Sequence, residues 1–247
     1  TYKKTVKEML FIDTQLQMDE AVWDADDGSA GAIWQLEAEG AIRASSILIG
    51  QQTWYGTDAD GKGFKGIISQ LSLVVKGSNT STSTSAYLVW MDGREGVRYD
   101  VGKDGNFAIS APFRQQILDA DGKSYFAHVG NLKSYVGLFV GSAYSAWGIT
   151  GITSNSALPA YGLTDAAAFQ LVGGIPAARR SNLRWFFNRT SEATLRQNRS
   201  AMTTSTGIAQ YQPGGSTGAP AYAPLPESLA GYPITITDSI LNTETNA

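Results

Sequence analysis

The chain of 247 residues lacks cysteine altogether and contains a single histidine. The missing cysteine excludes a disulfide framework, thiolate zinc sites and cysteine nucleophiles. The lone histidine, His128, cannot form an HExxH zinc site by itself, and its place among aromatic residues of a predicted strand favours a structural role. Rigidity must therefore come from packing or from assembly.

Long apolar runs and a strong net charge are also missing. No stretch approaches the roughly 18 apolar residues of a membrane-spanning helix, and the first residues lack both methionine and the apolar run of a signal peptide. We therefore expect Thr1 to follow a cleavage site or a further segment. The net charge of −3 and a pI near 5.2 argue against a protein whose main task is to neutralise nucleic-acid phosphates.

The amino-terminal part combines a weakly alternating segment, an acidic run and the strongest helical pattern of the chain. Residues 1–17 indicate an extended, exposed strand or arm. Six acids without a base lie from Asp13 to Asp27, and they form either a solvated face or one half of a charge pairing. Residues 30–52 predict a packed helix with one broad apolar face, formed by Ile33, Trp34, Leu36, Ala38, Ala41, Ile42, Ile47 and Leu48.

Beyond a glycine-rich joint at residues 51–67, the pattern changes to strands. Residues 86–153 contain strand signals separated by Asp-Gly or Gly turns, which predict a mostly antiparallel meander. A second, α+β unit follows, with a short helix from residue 163, a strand in "LRWFFN" and a capped helix that has Ser191 and Glu192 at its start. A loop rich in proline, glycine and serine then precedes the strand "YPITITDSI".

No catalytic or cofactor-binding motif emerges from the chain. "GTDADGKGFKG" has the glycines of a phosphate-binding loop, but no serine or threonine follows its lysine. The "DADGK" turns at Asp58 and Asp119 lack the glutamate that a calcium loop requires. No spacing singles out a glycosidase pair among the 22 acids. We therefore predict no enzymatic activity, no cofactor and no metal.

An arginine-rich stretch is the main basic feature. Six arginines lie in residues 179–199, with three aromatic residues among them and Glu192 as the only acid. This pattern is either a modest signal for nucleic-acid binding or a ring of arginines around a core strand. Because residues 13–27 are acidic, we favour pairing between these arginines and acids of the same or a neighbouring chain.

Three stretches carry a likeness to a known family: "LEAEGAIRASSILIGQQTWYGTDADGKGFKGI", "NLRWFFNRTSEATLRQNR" and "GYPITITDSI". Together they resemble the major capsid proteins of tailed bacteriophages, which have the Hong Kong 97 fold. The resemblance implies a spine helix over residues 30–52, a start of the globular part at 64–67, an axial helix start at 188–195 and a returning strand over 231–239. In the commonest order of this family the peripheral strands come last, so their earlier position here implies a permuted or inserted sheet.

The resemblance implies an α+β capsid fold with a spine helix, a peripheral antiparallel β-sheet and an axial α+β domain. Its segments would be 1–22 as a projecting-loop strand or arm whose amino-terminal part is missing, 23–56 as the spine helix, 57–155 as the peripheral domain, 156–240 as the axial domain and return strand, and 241–247 as a tail. It further implies a virion protein, made in the host cytoplasm, that forms pentamers and hexamers of an icosahedral shell around double-stranded DNA. Portal, scaffolding and decoration proteins are implied as further partners, without sequence-specific DNA binding and without a membrane.

Charged residues are the candidate contacts between subunits. The candidates are Lys3, Lys4, Asp24, Asp26, Asp27, Arg179, Arg180, Arg184, Arg196 and Arg199. An alternative from another class is a secreted or cell-surface β-rich module that binds carbohydrate. It explains the aromatic residues and the Asp-Gly turns, but it does not explain the long helix or the arginine-rich unit.

Overall fold

The computed structural model describes residues 8–25, 30–56, 61–77, 83–101, 109–118, 120–155, 161–201 and 225–244. In chain order the elements are β1 (Leu10–Asp19), α1 (Glu20–Ala25), α2 (Ala30–Tyr55), β2 (Val74–Lys76), β3 (Ser83–Trp90), β4 (Val97–Val101), β5 (Phe113–Leu118), β6 (Ser124–Val140), β7 (Ala146–Thr153), α3 (Asp165–Gly173), β8 (Leu183–Phe187), α4 (Arg189–Ala201), β9 (Ser228–Leu229) and β10 (Tyr232–Ile236). Single 3₁₀ turns lie at Ile68–Gln70 and Ala177–Arg179.

The chain divides into two compact units. One contains residues 1–66 and 99–138, and the other contains residues 67–98 and 139–247. Each unit therefore draws on more than one part of the sequence. The five segment borders expected from the sequence remain predictions.

The first unit is built on a four-stranded sheet in which β6 lies between β1 and β4 and also pairs with β5. β1 runs antiparallel to β6, from Leu10 opposite Val136 to Asp19 opposite Ala127. Burial alternates where β1 begins, because successive side chains of a strand point to opposite faces. α2 packs against β1, and the ring of Trp34 lies where a side chain on Gly130 would sit, 2.5 Å from the Cβ position. Glycine at this position thus lets the helix approach the sheet.

The second unit is built on a six-stranded sheet with the order β2-β7-β3-β8-β10-β9. The sheet is mixed: β2–β7 and β8–β10 are parallel pairs, whereas β3 is antiparallel to both β7 and β8. Its core contains alternate residues of the central strands together with residues of α3 and α4, including Leu88, Trp147, Trp185, Phe187, Leu171 and Leu195. The buried indole of Trp185 donates a hydrogen bond to the carbonyl of Leu229 at 2.9 Å, so its polar atom is satisfied.

The predicted order of helix, strand block and α+β unit is observed, but two details differ. The single meander is wrong, because β3 pairs with β7 and β8 while β4, β5 and β6 belong to the other sheet. Every residue of β3 is buried, as expected for a central strand covered on both faces. The second detail is the cap of α4, which the sequence did not assign to a residue: the helix begins at Arg189, within the expected start at 188–195, and the side chain of Asn188 accepts the hydrogen bond from the Ser191 amide at 3.0 Å.

Candidate assembly surfaces

The joint after α2 is fastened by backbone contacts. Trp54 and Phe64 are buried, and the Gln52 amide donates to the carbonyl of Phe64 at 3.3 Å. Gly56 has a φ of 57° and bridges to Lys65. A Cβ on Gly56 would lie 1.9 Å from the amide nitrogen of Gly66, so only glycine fits. These contacts hold the end of α2 close to residues 64–66.

Two of the acids in β1 and α1 have basic partners within the first unit. Asp13 lies 3.8 Å from the Lys133 ammonium, and Glu20 lies 2.6 Å from the Arg114 guanidinium. Asp24 is exposed. Of the other candidate contacts, Lys3, Lys4, Asp26 and Asp27 lie outside the described residues.

Three of the candidate arginines bind groups of their own unit. Arg179 pairs with Glu95 at 2.7 Å and lies over the ring of Trp90, 4.2 Å from its centroid. Arg199 makes two hydrogen bonds to the carboxylate of Asp165, at 2.7 and 2.8 Å. Arg180 donates to backbone carbonyls at the end of α3. These three side chains therefore have structural contacts that hold the second unit together.

The other two candidate arginines differ in exposure, since Arg184 is exposed and Arg196 is half-buried. Arg184 is exposed on β8 and donates to the hydroxyl of Thr235 at 3.3 Å. Arg196 lines a surface hollow of about 220 Å³ beside α4, together with Glu192 and Leu225. The five described candidate arginines thus do not form one cluster, and among them Arg180 and Arg184 are exposed.

The outer face of α2 carries large apolar side chains in solvent. Trp34, Ser45 and Gln52 are buried on one side of the helix. Leu36 is 68% exposed and Ile47 is 54% exposed on the other side. The sequence pattern predicted a single broad apolar face that included both residues, and this prediction is wrong. The helix is apolar on two faces, of which the first unit buries one.

A second apolar region lies on the sheet of the first unit. The rings of Phe11 and Tyr135 stack across β1 and β6, 4.7 Å apart, and both are about half exposed. A groove of about 320 Å³ runs between α2 and the sheet, lined by Ser46, Ile49, Gly50, Tyr99, Val101 and Val136. The Tyr99 hydroxyl hydrogen-bonds to Thr53 at 2.7 Å. Its burial raises the pKa of Tyr99, and the bond to Thr53 partly opposes this shift.

The carboxyl-terminal segment is bound into the second unit. Glu244 pairs with Ser83 through the backbone, and its carboxylate accepts hydrogen bonds from the hydroxyls of Ser85 and Tyr87. Asn188 donates to Thr84 at 2.7 Å and to Asn242 at 2.8 Å, in addition to capping α4. One side chain thus joins a strand, a helix and the terminal segment.

Metal-binding side chains are not clustered in the described ranges. No three or more His, Cys, Asp or Glu side chains among them could hold a metal ion. His128 stacks on the ring of Trp23, 4.2 Å away, in agreement with the structural role predicted for it. Within the same ranges, no helix is long and apolar enough to cross a membrane.

The architecture matches that of a solved virus structure. A chain in the near-atomic cryo-EM structure of bacteriophage Epsilon15 superposes with a TM-score of 0.66. The superposition covers 98% of this chain and 74% of the Epsilon15 chain, at 20% sequence identity. The chain has a phage capsid fold. The predicted α+β capsid fold is therefore confirmed at the level of structure, although no protein-family model and no curated protein matches the sequence.

Sequence reasoning missed several contacts of this capsid fold. It did not identify the intrachain partners Glu95 and Asp165, nor the carboxyl-terminal contacts of Asn188. Glu95 lies 84 positions before Arg179 in the sequence, and no local periodicity links the two residues. The apolar residues on both sides of α2 were a visible signal, because a helix that is apolar all round needs partners on more than one side.

Proposed function

We propose that this chain is a major capsid protein of a tailed, double-stranded DNA bacteriophage. The observation that carries the proposal is the likeness of fold to a bacteriophage chain over 98% of the residues. In this role the chain is structural and not an enzyme. Many copies would form the pentamers and hexamers of an icosahedral shell that encloses the genome, and the protein would reside in the virion after synthesis in the host cytoplasm.

Assembly of this kind requires surfaces that are satisfied only by another subunit. The exposed rings of Phe11 and Tyr135 and the outer face of α2 are surfaces of that type. Rings of five and six use head-to-tail contacts between different patches, which close when the rotation between subunits returns to the start. Portal, scaffolding and decoration proteins would bind the same shell. The acidic pI suits a shell that holds DNA without sequence-specific contacts.

Charge pairing between subunits is part of the proposal. Arg184 and Arg196 are the arginines proposed to meet a neighbour, whereas Arg179, Arg180 and Arg199 make contacts inside the second unit. Their proposed partners are the exposed Asp24 and its neighbours Asp26 and Asp27. Lys3 and Lys4 are proposed to contact an adjacent subunit through the arm. Asp13 and Glu20 take no part, because each has a basic partner in its own chain.

The test is the assembly state of the purified chain. Size-exclusion chromatography with light scattering and negative-stain electron microscopy should show closed particles or rings of five and six. A stable monomer of 26.4 kDa over a wide range of concentration and salt would contradict the proposal. If such a monomer bound to a glycan array, the carbohydrate-binding alternative would replace it.

A further inference from the structure

The outer face of α2 has the pattern of a surface that packs against another helix. Leu36 and Ile47 are the most exposed of its apolar residues, and Ile33 is 37% exposed. Together with Gly40 and Ala44 they lie within about a third of the helix circumference, at about 100° per residue. They span about 21 Å along the axis, at about 1.5 Å per residue. The described residues of the first unit leave this face in solvent.

Gly40 lies at the centre of this face. A Cβ built on Gly40 would meet nothing within 4 Å, so no contact among the described residues explains a residue that weakens an exposed helix. Glycine at such a position permits two helix axes to approach to about 8 Å, the close end of the usual range. The apolar side chains around it supply the area to be buried.

The outer face of α2 is complementary to the same face of a second, antiparallel copy when the two helices cross at Gly40. Leu36 and Ala44 lie four positions to either side of Gly40, and Ile33 and Ile47 lie seven positions to either side. In an antiparallel pair centred on Gly40, a large Leu36 therefore shares a layer with a small Ala44, and Ile33 shares a layer with Ile47. Arrangements in which large and small residues alternate fill such a contact without voids.

Charges along one edge of the face agree with the same arrangement. Glu39 and Arg43 lie on one flank of α2 and are exposed. In the antiparallel pair, Arg43 of each copy lies about 3 Å along the axis from Glu39 of the other, at about 1.5 Å per residue. Parallel packing about a two-fold axis would instead put this flank of the two copies on opposite sides of the contact, so Glu39 and Arg43 would not meet across it.

We infer that the outer face of α2 binds the same face of a second copy, antiparallel and centred on Gly40. The contact joins two subunits through a two-fold axis, so it is of a different kind from the head-to-tail contacts within a ring. It gives the proposed shell a place where subunits of adjacent rings meet. In this sense it rests on the proposed function, although a free dimer would use it equally.

Because the chain has no cysteine, single-cysteine variants test this geometry directly. Gly40→Cys should form a disulfide-linked dimer with itself after mild oxidation, read on a non-reducing gel. A mixture of Leu36→Cys and Ala44→Cys should also link. Neither of these should link alone, because like residues would lie about 12 Å apart along the axis, and Cα atoms bridged by a disulfide lie within about 7 Å.

Gly31→Cys is the matched control. It makes the same change on the same helix at an exposed glycine that also has nothing within 4 Å. Two copies of residue 31 would lie about 27 Å apart in the proposed pair, at about 1.5 Å per residue. This variant should therefore give less than a tenth of the dimer formed by Gly40→Cys.

Two outcomes would overturn the inference. One is efficient linking of Leu36→Cys with itself, which indicates parallel packing. The other is failure of both Gly40→Cys and the mixture of Leu36→Cys with Ala44→Cys to link, whether taken from free subunits or from particles. Particles that form without the disulfide link would support the proposed function and contradict this helix contact. Linked dimers that never form particles would support the helix contact and contradict the proposed function.

Discussion

Single side chains that satisfy several buried groups hold the second unit together. Asn188 is the clearest example, because it is 3% exposed, caps α4 and donates to Thr84 and Asn242. Removing one partner of a buried hydrogen bond leaves the other without compensation, which costs about 1–3 kcal/mol. The loss of a helix cap alone costs about 0.5–2 kcal/mol. Asn188 should therefore matter more than an ordinary cap.

We predict that Asn188→Ala lowers the free energy of unfolding by about 2–4 kcal/mol, the sum of a cap and a buried donor. Thr164→Ala is the control, since the Thr164 hydroxyl only caps α3, by accepting from the Ala167 amide at 3.2 Å. Its expected loss is about 1 kcal/mol. Urea denaturation of the two variants beside the unaltered chain measures both values. Equal losses would show that the contacts of Asn188 to the terminal segment contribute nothing.

At the scale of elements, glycines at or near α2 differ in their surroundings and backbone conformation. Gly40 lies in the middle of the helix with open space where a Cβ would lie, whereas Gly56 follows the helix with a positive φ and backbone atoms at the Cβ position. The same substitution should therefore have opposite effects at the two positions.

We expect Gly40→Ala to raise the stability of the free subunit by up to about 1 kcal/mol, the difference in helix propensity. Gly56→Ala should lower it by about 2 kcal/mol or more, since the joint must open to admit a methyl group at a positive φ. Thermal unfolding of dilute subunits, followed by circular dichroism, compares the two variants. A gain at Gly56, or a loss at Gly40, would mean that the backbone of this element differs from that described.

The elements also show which features could be predicted from the sequence. The helix α2 and the succession of β8, α4 and β10 depend on local periodicity and capping, and they were predicted. The partners of β3 were not, because pairing with β7 and β8 brings together residues about 60 to 100 positions apart, and packing decides such pairs. The arginines were identified as paired, but their partners Glu95 and Asp165 depend on the same long-range packing.

At the scale of the whole molecule, the proposed shell depends on charge pairing between copies. We predict that Arg184→Glu combined with Arg196→Glu reduces the yield of particles at least tenfold at low salt, because like charges then face Asp24 and its neighbours. Particle yield by sedimentation, measured across a salt series, should fall most where screening is weakest.

A charge swap supplies the control for this pair of substitutions. Asp24→Arg, added to the double variant, should restore part of the yield, and Lys76→Glu, an exposed change on β2, should leave the yield unaltered. If the double variant forms particles in normal yield, the proposed charge pairing between subunits is wrong.

The fastening of residue 244 to β3 has a consequence for the time course of folding. Ser83 and Glu244 are 161 positions apart, and the hydrogen bonds between them complete one end of the six-stranded sheet. Contacts of such sequence separation form late, because the intervening chain must first lose the entropy of a very long loop. The sheet of the second unit therefore cannot be completed until residue 244 has been translated, so every earlier strand of this sheet must wait, exposed at one end, for the final part of the described chain.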